Sequence, residues 1–162
     1  MIRAARTEEL DAIMGIYADA RAFMASNGNS AQWANGYPRR DMIEEDLARG
    51  QLYVYETEEG EIGGVFVFFT GEEPAYQNIW DGNWLNDKPY GTLHRIAVSR
   101  HGEGIASKCV QWCYEQCLNM RGDTHEKNLS MQRLFAKNGF VRCGLIMAED
   151  GTERIAYQKT AY

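Results

Sequence analysis

The chain has 162 residues, of which 44% are apolar and 25% charged, which suits one globular unit able to bury well over half of its unfolded surface. A net charge of −6 and a pI near 5.1 exclude the basic stripe of a phosphate-backbone binder, so no nucleic-acid partner is expected. No apolar run approaches the ~18 residues that span a bilayer, and MIRAARTEEL lacks the apolar centre of a signal peptide, so a cytoplasmic protein without a membrane partner is expected.

In chain order, residues 2–4 read as a short strand. Thr7 is placed to cap a helix, with Glu8 and Glu9 complementing its dipole. Leu10, Ile13, Met14, Tyr17 and Met24 then recur at helical spacing until Asn27 and Gly28 stop the run. Pro38 opens a second helix with Met42, Ile43 and Leu47 inward, ended by Gly50. Residues 52–56 and 62–69 flank a Gly60-containing turn and read as a β-hairpin, whose second strand is apolar on both faces, as a central strand is.

Residues 70–91 make a loop of roughly twenty residues, a length that is usually functional or disordered. Its aromatics Tyr76, Trp80, Trp84 and Tyr90 argue for order. Near the C-terminus, residues 121–124 read as a strand, 128–138 as a helix closed by Gly139, and 140–147 and 153–159 as strands around an Asp150-Gly151 turn. No linker, repeat or low-complexity stretch divides the chain, so residues 1–162 are expected to form one domain.

The most informative stretch is 92–117, TLHRIAVSRHGEGIASKCVQWCYEQC. A β-branched run (Ile96, Ala97, Val98) enters a glycine turn, and a helix-like segment follows at once. Backbone N–H groups at the positive end of a helix dipole make a phosphate site from main chain alone. In the helix, Cys109, Cys113 and Cys117 recur every four residues. With no histidine in the row and no CxxC pair, they read as small hydrophobes on one helix face, and no metal is expected.

Two blocks carry a family resemblance. The turn has the form [Q/R]-x-x-Gly-x-[Gly/Ala], with His101 in first place, then Gly104 and Ala106; Asn128, Phe135 and Gly139-Phe140 follow in the spacing of an Asn…Tyr…Gly-Phe pattern. Together they resemble the GCN5-related N-acetyltransferases (GNAT), which bind acetyl-coenzyme A. The resemblance implies a single α/β (α+β) domain: a mixed, mostly antiparallel central sheet flanked by helices, with a splayed strand pair for the cofactor. It also implies acetyl transfer from acetyl-coenzyme A to a primary amine of a small molecule or amino-acid derivative, by direct attack in a ternary complex.

By that resemblance, amides of Gly102, Gly104, Ile105, Ala106 and Ser107 converge on the pyrophosphate, and His101 adds a hydrogen bond where the family has Gln or Arg. Ile96, Ala97 and Val98 hold the pantetheine arm as an added strand, the Val98 N–H serves the developing oxyanion, and Asn128 bonds the cofactor arm. Strand alternation puts Thr92, His94, Ile96 and Val98 on one face, and the position of His94 resembles a catalytic histidine, which makes it the candidate base. Phe135 departs from the family's tyrosine acid. Tyr90, Tyr157 or solvent then protonates the leaving thiolate, or the thiolate leaves unassisted. The same departure admits an alternative, a non-catalytic acyl-coenzyme A sensing module. Trp33, Tyr37, Trp80 and Trp84, together with Tyr90, could line an acceptor pocket, with Asp81 or Asp87 attracting an ammonium. Family members are often dimers, and a terminal strand at 153–159 offers an edge for pairing.

Overall fold

The computed structural model describes residues 1–30, 32–33 and 36–162. Seven strands form one sheet in the order β1-β2-β3-β4-β5-β7-β6. They are β1 (Ile2–Ala4), β2 (Leu52–Glu56), β3 (Ile62–Thr70), β4 (Gly91–Val98), β5 (Asn119–Thr124), β6 (Val141–Met147) and β7 (Glu153–Thr160). The helices are α1 (Leu10–Ser26), α2 (Arg40–Ala48), α3 (Ile105–Cys117) and α4 (Leu129–Lys137). The expected α/β class with a mostly antiparallel sheet is what the chain adopts. The recorded parallel pair is β4 with β5, where Gly91 faces Met120 and Thr92 faces Arg121. Among the described residues, no helix is long and apolar enough to cross a membrane.

By its internal contacts the chain divides into two units, residues 1–68 with 94–109, and residues 69–93 with 110–162. In the first, α1 begins later than its cap residue suggests. A 3-10 turn occupies Thr7–Glu9, because the Glu9 carboxylate accepts from the Arg6 N–H at 2.8 Å and from Arg3 Nη2 at 2.6 Å. Glu9, not Thr7, therefore organises the entry to the helix. Asn27 and Gly28 (φ +81°) end α1 as expected. Helix α2 starts two residues past Pro38, whose bond to Tyr37 is cis. Its inward face carries Ile43 and, against the apolar pattern, Asp46.

Strand β3 is buried over Gly63–Phe68, as its two-sided apolar run predicts. Its Gly63-Gly64 pair has a second purpose. A Cβ at Gly63 would meet Ile105 Cδ1 at 3.0 Å, and one at Gly64 would meet Ile105 Cγ2 at 3.1 Å. Bare backbone on β3 thus seats the first residue of α3, and a glycine pair inside a strand was the signal for that close approach.

In the second unit, β7 pairs antiparallel with both β5 and β6. The strand at 153–159 is therefore an inner strand, and β6 stands at that end of the sheet order. The expectation of an exposed β7 edge is corrected. The last hairpin folds back far enough to place β6 outside, with Val141 opposite Gln158 and Met147 opposite Glu153. Helix α4 is capped by Asn128, whose Oδ1 accepts from the Met131 N–H at 3.0 Å, and closed by Gly139 (φ +85°). The row of cysteines reads as expected of core residues. Cys109 and Cys113 have no exposed surface, and burial pushes the Cys109 thiol up to about 12.

Candidate functional site

In the first unit, β4 leads through Ser99 and Arg100 into the glycine turn and α3. Ser99 ties the turn back to β3, its N–H donating to Gly63 O and its hydroxyl to Ile62 O, both at 3.0 Å. Gly102 (φ +83°) and Gly104 (φ +74°) take left-handed backbone, which glycine adopts without steric cost. Among the described residues beyond the chain neighbours, nothing comes within 4 Å of where a Cβ on either would stand. The space over both residues is therefore open. Lys108 N–H makes the first helical bond, to Gly104 O at 3.1 Å. The amides of Ile105 and Ala106 precede it, where an α-helix has no intrahelical acceptor to offer. The geometry is that of an anion cradle built from backbone.

The side chains around this turn add little positive charge. Arg100 is engaged with Glu61 at 2.6 Å and with Glu59 and Glu103 at 3.8 Å each. The ring of His101 stacks on Phe23 of α1, with centroids 4.3 Å apart and planes 18° from parallel. That contact fixes the exposed imidazole beside the turn.

Strand β4 departs from simple alternation. Arg95 has φ +52°, so the face reading that aligned His94 with Ile96 and Val98 does not carry across it. A left-handed residue inside a strand kinks the backbone, as at a β-bulge, and re-aims the side chains that follow. Its cause lies in distant residues. The Tyr17 phenol donates to Arg95 O at 2.8 Å. The Arg95 side chain donates from Nε to the Tyr37 hydroxyl at 2.9 Å and from Nη1 to Asp46 at 3.0 Å. Tyr17 meets Trp33 edge-on with centroids at 5.7 Å, and Trp33 meets Tyr37 at 6.3 Å. Two of the expected acceptor-side aromatics, Trp33 and Tyr37, thus belong to one cluster with Arg95. Burial pushes the Asp46 carboxyl above its ordinary value, opposed by Arg95 and then by His94. Asp46, Arg95 and Tyr17 are the residues that sequence reasoning missed. An acid at the third place after Ile43 on a helix face was a faint sign of the first.

In the second unit, the long loop is ordered by its own aromatics. The Arg121 guanidinium of β5 lies between the rings of Trp84 (4.3 Å) and Tyr90 (4.0 Å). The Trp84 indole N–H donates to Tyr76 O at 2.9 Å, and the Tyr90 hydroxyl accepts from the Glu73 N–H at 2.8 Å. Trp80, 39% exposed, joins β6 through its backbone, with N–H to Leu145 O at 3.0 Å. Phe135 is fully buried, stacked on Tyr157 at 4.7 Å and tilted on Phe140 at 5.0 Å. A Cβ at Gly122 would lie 2.6 Å from the tip of the Phe135 ring, so β5 yields its side chain to this ring. Asn128 and Phe135 belong to this unit, and Ile96–Ser107 to the other.

At the end of β5, His125 Nδ1 accepts from the Lys127 N–H at 3.1 Å. Burial, and then the charge of Arg154, hold this imidazole below its ordinary pKa. The folded state therefore resists the proton that the unfolded chain takes up near pH ~6.5. Stability from this residue is present above that value and is lost as pH falls through it toward the folded pKa. A His125→Gln variant is expected to show a flatter melting temperature between about pH 6.5 and 5; a slope equal to that of the parent would remove His125 as the source.

No family model and no curated protein sequence matches the chain. Solved structures do. A GNAT-family acetyltransferase from Streptococcus agalactiae is 36% identical, with a TM-score of 0.92 over 100% of this chain and 95% of that one. GNAT-family acetyltransferases from Listeria monocytogenes (22% identity, TM-score 0.73, 98% and 93% coverage) and Bacillus cereus (21%, 0.62, 100% and 98%) share the fold.

Proposed function

The chain belongs to the GNAT family of acetyltransferases, and from that premise we propose that it moves an acetyl group from acetyl-coenzyme A to the primary amine of a small molecule or amino-acid derivative. The observation that carries the reading is the turn. Gly102 and Gly104 are left-handed and open above, ahead of a helix whose first residue is seated on Gly63 and Gly64. A pyrophosphate suits that cradle better than any side-chain ligand does, because the donors are backbone amides and the nearby Arg100 is already paired.

Amides of Gly102, Gly104, Ile105, Ala106 and Ser107 would hold the pyrophosphate, with His101 beside them, and Ile96–Val98 would hold the pantetheine arm. When bound, the cofactor supplies an activated acyl thioester. His94 takes the proton from the attacking amine, directly or through water, and the Val98 N–H bonds the developing oxyanion. Phe135 has no proton to give, and burial holds the Tyr157 phenol above its ordinary value. A thiol is acidic enough to depart as thiolate, and it would take its proton from solvent or from Tyr90. Trp33 and Tyr37 stand on the acceptor side as we read it.

The full burial of Phe135 favours one second reading, a module that binds acyl-coenzyme A without turning it over. Thiol release from acetyl-coenzyme A, measured across polyamines, arylalkylamines, amino acids and antibiotics, separates the two. Turnover with at least one amine class is expected, together with a fall of 10²–10⁴-fold in rate for His94→Ala at saturating cofactor. Tight cofactor binding with silence across the whole panel would leave only the sensing module.

A further inference from the structure

We infer that Arg95 is a positioning residue for the transfer reaction, holding the kink of β4 through the Asp46 and Tyr37 side chains; the inference rests on the acetyltransferase reading above. Arg95 sits at φ +52°, a conformation that is unfavourable for a non-glycine residue where nothing compensates. A strand with no use for the kink would place glycine there, or stay extended.

Instead, three separate elements reach this one residue. Tyr17 of α1 holds its carbonyl oxygen at 2.8 Å. Asp46 of α2 holds Nη1 at 3.0 Å, with both side chains nearly buried (13% and 12% exposed). Tyr37 holds Nε at 2.9 Å, and its own carbonyl accepts from Arg21 Nη1 at 3.2 Å. The guanidinium spends its fork on a carboxylate and a phenol, and a planar fork is the donor set that fixes direction as well as distance.

The consequence falls on the residues on either side. His94 precedes the kink and Ile96–Val98 follow it. The side-chain anchors of Arg95 therefore set the backbone direction on which the His94 imidazole and the Val98 N–H depend. They also join that backbone to Trp33 and Tyr37, so acceptor-side packing and the reacting segment share one fixed point. A misplacement of about 1 Å in such a segment costs on the order of 10²-fold in rate.

Two variants separate side-chain anchoring from backbone strain. Arg95→Gly accepts the left-handed backbone freely but loses both side-chain anchors. Arg95→Lys keeps a charge toward Asp46 and loses the fork. For Arg95→Gly the expected result is a kcat lower by roughly 10–100-fold, a raised KM for the amine, and coenzyme A affinity within about threefold of the parent. Arg95→Lys should recover part of kcat. Amide hydrogen exchange at Ile96–Val98 should quicken in Arg95→Gly by about tenfold or more beyond any quickening at β5 and β7 that a lowered melting temperature brings. Unchanged exchange across Ile96–Val98 overturns the inference, and so does a kcat within about twofold of the parent. If the parent transfers no acetyl group to any amine, the functional reading fails by itself, and exchange at Ile96–Val98 still decides whether Arg95 holds the strand.

Discussion

Gly104→Val is expected to weaken coenzyme A binding on the order of 100-fold while the fold survives. Gly104 has φ +74°, and among the described residues beyond its two chain neighbours no atom lies within 4 Å of where its Cβ would stand. A valine there is not expelled by neighbours. It is strained by the left-handed backbone, at about 1–3 kcal/mol, and its methyl groups enter the open space over the α3 N-terminus. If that space belongs to a pyrophosphate, the anion is pushed off the amides. Each hydrogen bond to a charged group contributes about 1.5–3 kcal/mol, so the loss of one or two accounts for the expected change. Isothermal titration reads the affinity, and a melting curve taken beside it shows that the protein is folded. Undiminished affinity in a folded variant would take the turn out of the cofactor site.

Phe135→Ala is expected to be the most damaging single change to stability, at about 3–5 kcal/mol. The ring has no exposed surface and touches Tyr157, Phe140 and the bare backbone of Gly122. Truncation empties a space that three neighbours cannot close together. For a chain of this size each kcal/mol moves the melting temperature by about 2–4 °C, which gives a fall of roughly 10 °C or more. The complementary change, Gly122→Ala, sets a Cβ 2.6 Å from the ring tip and overpacks the same place, at about 1–3 kcal/mol. Combined with Phe135→Leu it should recover part of that loss, since the two residues share one volume. Calorimetry on the parent, Gly122→Ala, Phe135→Leu and their double variant decides it; additive losses would mean that Gly122 and Phe135 are not partners.

This pairing explains how a phenylalanine can stand where the family has a tyrosine. The ring tip points at the Gly122 backbone, so a phenol at this place would meet the strand at the position where Phe135 now packs. The departure is coupled to a glycine thirteen residues earlier in the chain. A sequence motif matched position by position does not reveal that coupling.

Much of the fold was legible because it follows from local rules. The two-sided apolar run predicted β3, the glycine turn predicted the start of α3, and Asn128 with Gly139 bracketed α4. What was not legible depends on partners far away in sequence. Arg95 looks like an ordinary polar strand residue until Tyr17, Tyr37 and Asp46 are brought to it. Asp46 looks like a solvated helix acid until it faces that guanidinium. The inner place of β7 depends on β6 folding outside it, which alternation along β7 alone does not encode. Thr7 carried the residue type of a cap, yet it lies inside a 3-10 turn that the Glu9 carboxylate holds through Arg3 and Arg6. In each case a side chain with an acceptable local fate was recruited by a longer-range contact.

The candidate site divides in the same way. The glycine turn ahead of α3 was readable, since glycines, spacing and a following helix are local features. The backbone direction of the segment between His94 and Val98 was not, because the kink that sets it is held from α1, α2 and Tyr37.

The account stands most directly on what the glycine turn binds, and one titration tests it. Coenzyme A and pantetheine share the arm and the thiol, and pantetheine lacks the pyrophosphate. Calorimetric titration of the unmodified chain with each is predicted to give saturable binding of coenzyme A and binding of pantetheine weaker by about 100-fold or more. Equal affinity for the two, or no heat with coenzyme A, would contradict the assignment of residues 101–107 as a pyrophosphate cradle.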